Sequence, residues 1–154
     1  MEQKHISHLF VTNNHDRIIG VIRSDHISAI QKYSPTILLR DINNANAPHD
    51  IIEHNAELPY LINTVINSGA KPQYINHLTT IIVDAVLQKF IDFAIQELGI
   101  PPARFTFIIF GSEGRQEQTL RTDQDNAIMY EDVSAEAEES VQGYFLNLGR
   151  RVCG

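Results

Sequence analysis

The stretch from Pro72 to Leu98, PQYINHLTTIIVDAVLQKFIDFAIQEL, constrains the fold more than any other part of this chain. Ile75, Leu78, Ile82, Val86, Phe90 and Ala94 recur three or four residues apart, beside a second row of Thr79, Val83, Leu87 and Ile91. That is the period of an α-helix, and so wide an apolar face has to be buried along much of its length. Pro72 suits a first helical position, where a missing N–H costs nothing. Gly99 suits the residue that closes a helix. Pro101 and Pro102 then stop any continuation.

What precedes this helix is of two kinds. Leu9 to Val11, the turn-rich Thr12 to Asp16 and the run Ile18 to Ile22 predict strand, turn and strand. A short helix from Ser24, with Ile27 and Ile30 inward, is expected next. From Pro35 onward the character is helical. Thr36 to Asn44 reads as one short helix, and Pro48 to Asn67 carries Ile51, Ile52, Leu58, Ile62, Val65 and Ile66 at mostly helical spacing. Pro59 should kink or divide that second segment, and Gly69 should end it.

Beyond the long helix, Phe105 to Phe110 is a six-residue β-rich run, apolar on both faces as an interior strand would be. Gly111 marks its end. A short polar helix over Glu113 to Leu120, a second strand over Asn126 to Tyr130 and a closing helix through Tyr144, Phe145 and Leu148 complete the expectation. Residues 131–139 are acidic and read as a solvated turn entering that helix. Phe90, Phe93, Phe105 and Phe107 are core candidates. The fold class implied is α+β, with segments at 1–34, 35–100 and 101–154.

The 154 residues suffice for one domain or pieces of two, and 43% hydrophobic with 20% charged residues marks an ordinary globular chain. A net charge of -7 speaks against long nucleic acid as partner. Cys153 is the single cysteine, so neither a disulfide nor a thiolate zinc site is available within one chain, which fits a reducing cytoplasm. His5 and His8 lack a third ligand. No export signal or run of about 18 apolar residues points to a membrane.

The chemistry concentrates in GSEGRQEQTLRTDQDNAIMY, residues 111–130. A strand ending in Gly111-Ser112 and leading into a helix is suited to phosphate: glycine admits close approach, serine offers a hydroxyl and an amide, and a first helical turn presents unpaired N–H groups. The spacing and lysine of a Walker loop are absent. Arg115 and Arg121 are candidates for the positive charge, or for pairing with Glu113, Glu117 or Asp123. Asp123 and Asp125, two apart at a strand start, belong on one face, where two carboxylates repel unless a cation sits between them. Hard oxygen ligands favour Mg²⁺ or Mn²⁺. An EF-hand does not fit, because Ala127 and Ile128 stand where that loop needs a ligand and a glycine.

Gly111-Ser112 followed after ten residues by Asp123-Gln124-Asp125 resembles the signature of the nucleotidyltransferase fold shared by DNA polymerase beta and many small transferases. Within that superfamily, FGSEGRQEQTLRTDQDNAI is similar to the nucleotidyltransferase domain of CBS-associated bacterial signalling proteins, related to the PII-protein uridylyltransferase. The likeness covers residues 36–133 and, more weakly, the tail. It implies a helical region followed by the start of a mixed catalytic sheet. It also implies Ser112 and nearby amides gripping the phosphates of a nucleoside triphosphate, Asp123 and Asp125 holding Mg²⁺, and Arg115 or Arg121 offsetting charge on pyrophosphate. An acceptor hydroxyl, as on a regulatory protein's tyrosine, would attack the α-phosphorus.

LFVTNNHDRIIGVIRSDHI resembles the closing strand-strand-helix of a CBS motif, an incomplete unit. Where that family commonly reads Gly-x-x-Thr-x-x-Asp, this chain has Gly20, Arg23 and His26, which argues against adenylate binding there. Transferases of this fold normally place a third carboxylate on a later strand, and none is evident before Gly154. Truncated ends would expose apolar edges and favour a homodimer. Three functions follow for comparison: a metal-dependent nucleotidyltransferase, a non-catalytic nucleotide-binding regulatory module, and a helical interaction domain that would leave the Gly-Ser and Asp-x-Asp pattern without a role.

Overall fold

The computed structural model of the chain describes residues 6–23, 34–117 and 125–153. Among them the fold is α+β, as expected, with two separate two-stranded antiparallel sheets. The expected helix from Ser24 lies outside the described residues.

Strands β1 (His8–Thr12) and β2 (Ile18–Arg23) form a hairpin with an irregularity between Val11 and Thr12. The Asn13 side chain accepts from the amides of His15 and Arg17 and shapes the turn, an arrangement open to a short polar side chain. Asp16 takes the left-handed conformation there, at φ 56°. Apart from the half-buried Val11, the hairpin's apolar residues are exposed on both faces, Phe10 by 68% on one and Leu9 by 42% on the other.

Three short helices follow, each with proline in its first turn: α1 (Pro35–Asn43), α2 (Pro48–Asn55) and α3 (Leu58–Asn67). Pro59 divides the second predicted segment rather than kinking it, since α2 ends at Asn55 and α3 begins one residue before the proline. Asp50 caps α2 by accepting from the amides of Asn46 and Ala47. Gly69, at φ 81°, follows the last turn of α3.

Helix α4 spans Pro72–Leu98, 27 residues or about 40 Å, and Gly99 closes it at φ 87°. Its buried face turns along its length. Leu78 and Ile82 enter one cluster with Leu38 and Ile42 of α1 and Leu58, Leu61 and Ile62 of α3. Leu87, Ile91 and Ala94 continue the buried positions, offset by five residues and so by about 140° around the helix. Ala94 belongs to a second cluster, with Ala103 and with Val141, Phe145 and Leu148 of the closing helix α6 (Ala135–Cys153). Thr79 and Thr80 are also buried, their hydroxyls donating back to the carbonyls of Ile75 and Asn76.

The second cluster seats the other sheet. β3 (Phe105–Ile109) pairs antiparallel with β4 (Asn126–Tyr130), Phe105 opposite Tyr130 and Ile109 opposite Asn126. Phe145 lies 4.8 Å from the Tyr130 ring and 5.2 Å from Phe105. Arg151 pairs with Glu97, and the Tyr144 hydroxyl donates to the Gly99 carbonyl at 2.6 Å, so α6 is tied to the end of α4.

Two expectations change. Between β3 and β4 the helix is a single turn, α5 (Gly111–Gly114), beginning two residues before the predicted start. Gln116, at φ 59°, breaks the helical path within the predicted span Glu113 to Leu120. The predicted interior strand β3 has one partner among the described residues, the antiparallel β4. Phe90, Phe93, Phe105 and Phe107 are half-buried, whereas Phe145, Ile42, Ile51, Leu61 and Ile82 are the more enclosed large side chains.

Candidate nucleotide-phosphate site

The site is built where β3 ends. Phe110 is extended, and its amide donates to the Asp125 carbonyl at 2.8 Å, so the entry to the turn is pinned beside the start of β4. Gly111 then adopts φ 66°, a conformation that costs glycine little. A Cβ on Gly111 would stand 2.8 Å from Asp125 Oδ2. The positive φ is what favours glycine here, and its missing side chain lets the exposed Asp125 carboxylate lie against the backbone.

Gly114 is fixed by a harder wall. A Cβ there would meet the Ile109 carbonyl oxygen at 2.6 Å, and that atom belongs to the ladder. The turn closes through Gly114 N–H to the Phe110 carbonyl, Gln116 N–H to the Glu113 carbonyl and Glu117 N–H to the Ser112 carbonyl. Ser112 is half-buried. One turn carries little macrodipole, so any grip on an anion rests on individual amides and the serine hydroxyl.

Side-chain alternation assigns the faces of β4. Asn126, Ile128 and Tyr130 are half-buried on the α6 side, while Ala127 and Met129 are exposed on the other. Asp125 has the parity of the exposed face and is itself exposed. Gly111, Ser112 and Asp125 are thus brought together at one end of the open face. Arg115 is exposed and donates to Glu117 at 2.9 Å. Such a surface pair is worth roughly 0–1 kcal/mol, so the guanidinium can leave it for a stronger anion. Asp123 and Arg121 lie outside the described residues, and so does the test of the Asp-x-Asp spacing.

The donor chemistry fits a hard divalent cation: an exposed carboxylate lying against the Gly111 backbone at the mouth of the turn. No cluster of three or more His, Cys, Asp or Glu occurs among the described residues. Glu131 cannot complete a set at this end. It sits past the far end of β4, about 20 Å along the strand from Asp125. There its carboxylate accepts from the Arg104 amide at 3.0 Å and guanidinium at 2.9 Å, and these contacts, the amide foremost, hold its pKa below the ordinary value.

Sequence reasoning missed Glu113 as a residue of interest in its own right. It is 3% exposed, and neither carboxyl oxygen has a hydrogen-bond partner among the described residues. Burial raises its pKa, and the Asp84 carboxylate on α4 adds to the rise; burial raises that of Asp84 too. The predicted polar helix implied a solvated Glu113, and nothing in the local pattern signals the reverse. A cavity of about 660 Å³ lies separately along β4 against α6, lined by Phe107, Asn126, Ile128, Phe145, Arg150 and Cys153 among others.

The family model described as "Putative nucleotidyltransferase DUF294" matches residues 56–154, from the end of α2 through the sheet and the closing helix. The chain belongs to this family. No curated protein and no solved structure matches it. No helix among the described residues is long and apolar enough to cross a membrane.

Proposed function

We propose that the chain is a metal-dependent nucleotidyltransferase domain that moves a nucleoside monophosphate from a nucleoside triphosphate to an acceptor hydroxyl. The observation that carries this is the Asp125 carboxylate lying against Gly111, in a family of nucleotidyltransferases. In this reading the Gly111 and Ser112 amides and the serine hydroxyl bind phosphate, and Arg115 and Arg121 balance charge on the departing pyrophosphate. Asp123 and Asp125 would hold Mg²⁺ or Mn²⁺, which when bound supplies charge neutralisation at the phosphates. The protein's own work is to position the α-phosphorus in line with the acceptor. The likeness to the PII-protein uridylyltransferase favours a regulatory protein as acceptor, in a bacterial cytoplasmic signalling pathway.

The distance and engagement of Glu131 favour a second reading, a regulatory module that binds nucleotide without transferring it. Calorimetric titration of ATP, UTP, GTP and CTP, with Mg²⁺ or with chelator, tests what the two share. Magnesium-dependent binding lost in Asp123→Ala/Asp125→Ala is the expected result. No binding by any nucleotide would sink both. Incorporation of label from the α-phosphate of the bound nucleotide into a protein acceptor separates transfer from regulation.

A further inference from the structure

Glu113 occupies the middle of the turn that this reading assigns to phosphate, yet its side chain is withdrawn from solvent and has no hydrogen-bond partner among the described residues. The turn is tied at both ends, by Phe110 N–H to the Asp125 carbonyl on one side and by Glu117 N–H to the Ser112 carbonyl on the other. Among the described residues, the ionisable surroundings are hostile to a carboxylate. Asp84 faces it from α4, Asp125 stands at Gly111, and the neighbouring cation Arg115 is turned to Glu117. A buried carboxylate without a cation or hydrogen-bond donor is strongly disfavoured, and the remedy open to it here is to keep its proton.

We propose that Glu113 is a positioning residue held as the uncharged acid, whose side chain seats the Gly111–Gly114 turn against α4, and that its ionisation unseats the turn. Its effect on nucleotide rests on the phosphate reading above; its protonation state does not. Burial, with Asp84 second, raises the Glu113 pKa above the ordinary 4.5. A raised carboxyl gives stability that is full below the unfolded value and is lost as pH rises through the folded one. Lower pH therefore holds the turn, and rising pH releases it.

The test measures melting temperature and magnesium-nucleotide affinity from pH 5 to 9 in the parent, Glu113→Gln, Glu113→Ala and Asp84→Asn, together with a carbon-13 carboxyl titration of the parent. The parent should lose stability and affinity as pH rises. Glu113→Gln, isosteric and always neutral, should abolish much of that slope while binding within about twofold of the acid-form parent; Glu113→Ala should bind roughly tenfold more weakly throughout. Asp84→Asn should move the parent's midpoint to lower pH. A Glu113 carboxyl that titrates in the ordinary glutamate range would overturn the proposal. So would a Glu113→Gln variant as impaired as Glu113→Ala, or Mg²⁺ alone stabilising the parent and not Glu113→Gln. If the parent binds no nucleotide, the phosphate reading fails by itself, and the carboxyl titration still decides the state of Glu113.

Discussion

The two ends of α4 are packed in different ways. At its N-terminal end the core is aliphatic and made from helices: Leu38, Ile42, Leu58, Leu61, Ile62, Leu78 and Ile82. At its C-terminal end it meets a two-stranded ladder and three stacked or tilted aromatic contacts around Phe145. The first cluster comes from local stripes on successive helices. The second depends on pairings between distant residues, Arg104 with Glu131 across 27 positions and Gly99 with Tyr144 across 45. The candidate site lies with the second. Long-range pairing brings Gly111 to Asp125, and α4 gives that sheet a rigid partner.

The largest expected effects probe whether one helix makes the two clusters a single cooperative unit. Ile82 and Leu148 are both fully buried, one in each cluster. Ile82→Ala and Leu148→Ala should each cost about 2–5 kcal/mol and lower the same melting transition. Two separate transitions, each sensitive to one substitution, would break the comparison by showing that α4 does not couple its ends.

Gly111→Ala should come next, at roughly 1–3 kcal/mol, since the new Cβ combines a positive φ with contact against Asp125. Its effect on magnesium-nucleotide affinity should exceed that of Leu148→Ala when both are measured well below their melting temperatures. Equal losses of affinity would mean that the turn acts only through overall stability.

The smallest effect belongs to the helical side. The amides of Asn46 and Ala47 hold the Asp50 carboxyl below its ordinary range. A depressed carboxyl contributes stability that is present above the unfolded value, near 3.8, and lost as pH falls through the folded one. Asp50→Asn should therefore lower the melting temperature slightly at neutral pH and leave it unchanged in strong acid. A penalty that persists in strong acid would assign the loss to helix packing instead.

The same contrast governs what the sequence made legible. The limits of α4 follow from Pro72, Gly99 and an apolar period that local backbone geometry dictates. β3 and β4 were foreseeable from β-rich runs, and Gly111, Ser112 and Asp125 from their spacing. The single-turn length of α5 was not, because it is set by Gln116 leaving the helical path at φ 59°, which no local pattern signals. The state of Glu113 was hidden for the same reason: its surroundings include α4, almost thirty residues away in sequence. Phe145 outranks the earlier phenylalanines as core because α6 folds back across the ladder.

If the turn at Gly111, together with Asp125, is where nucleotide phosphate is held, an amide chemical-shift map of the parent chain with and without saturating magnesium nucleoside triphosphate should show it. The largest shifts are expected at Gly111, Ser112, Glu113 and Asp125, with chelator reversing them. Shifts concentrated at Asn126, Gly149 and Cys153 around the cavity against α6, with the Gly111 turn unmoved, would contradict that assignment.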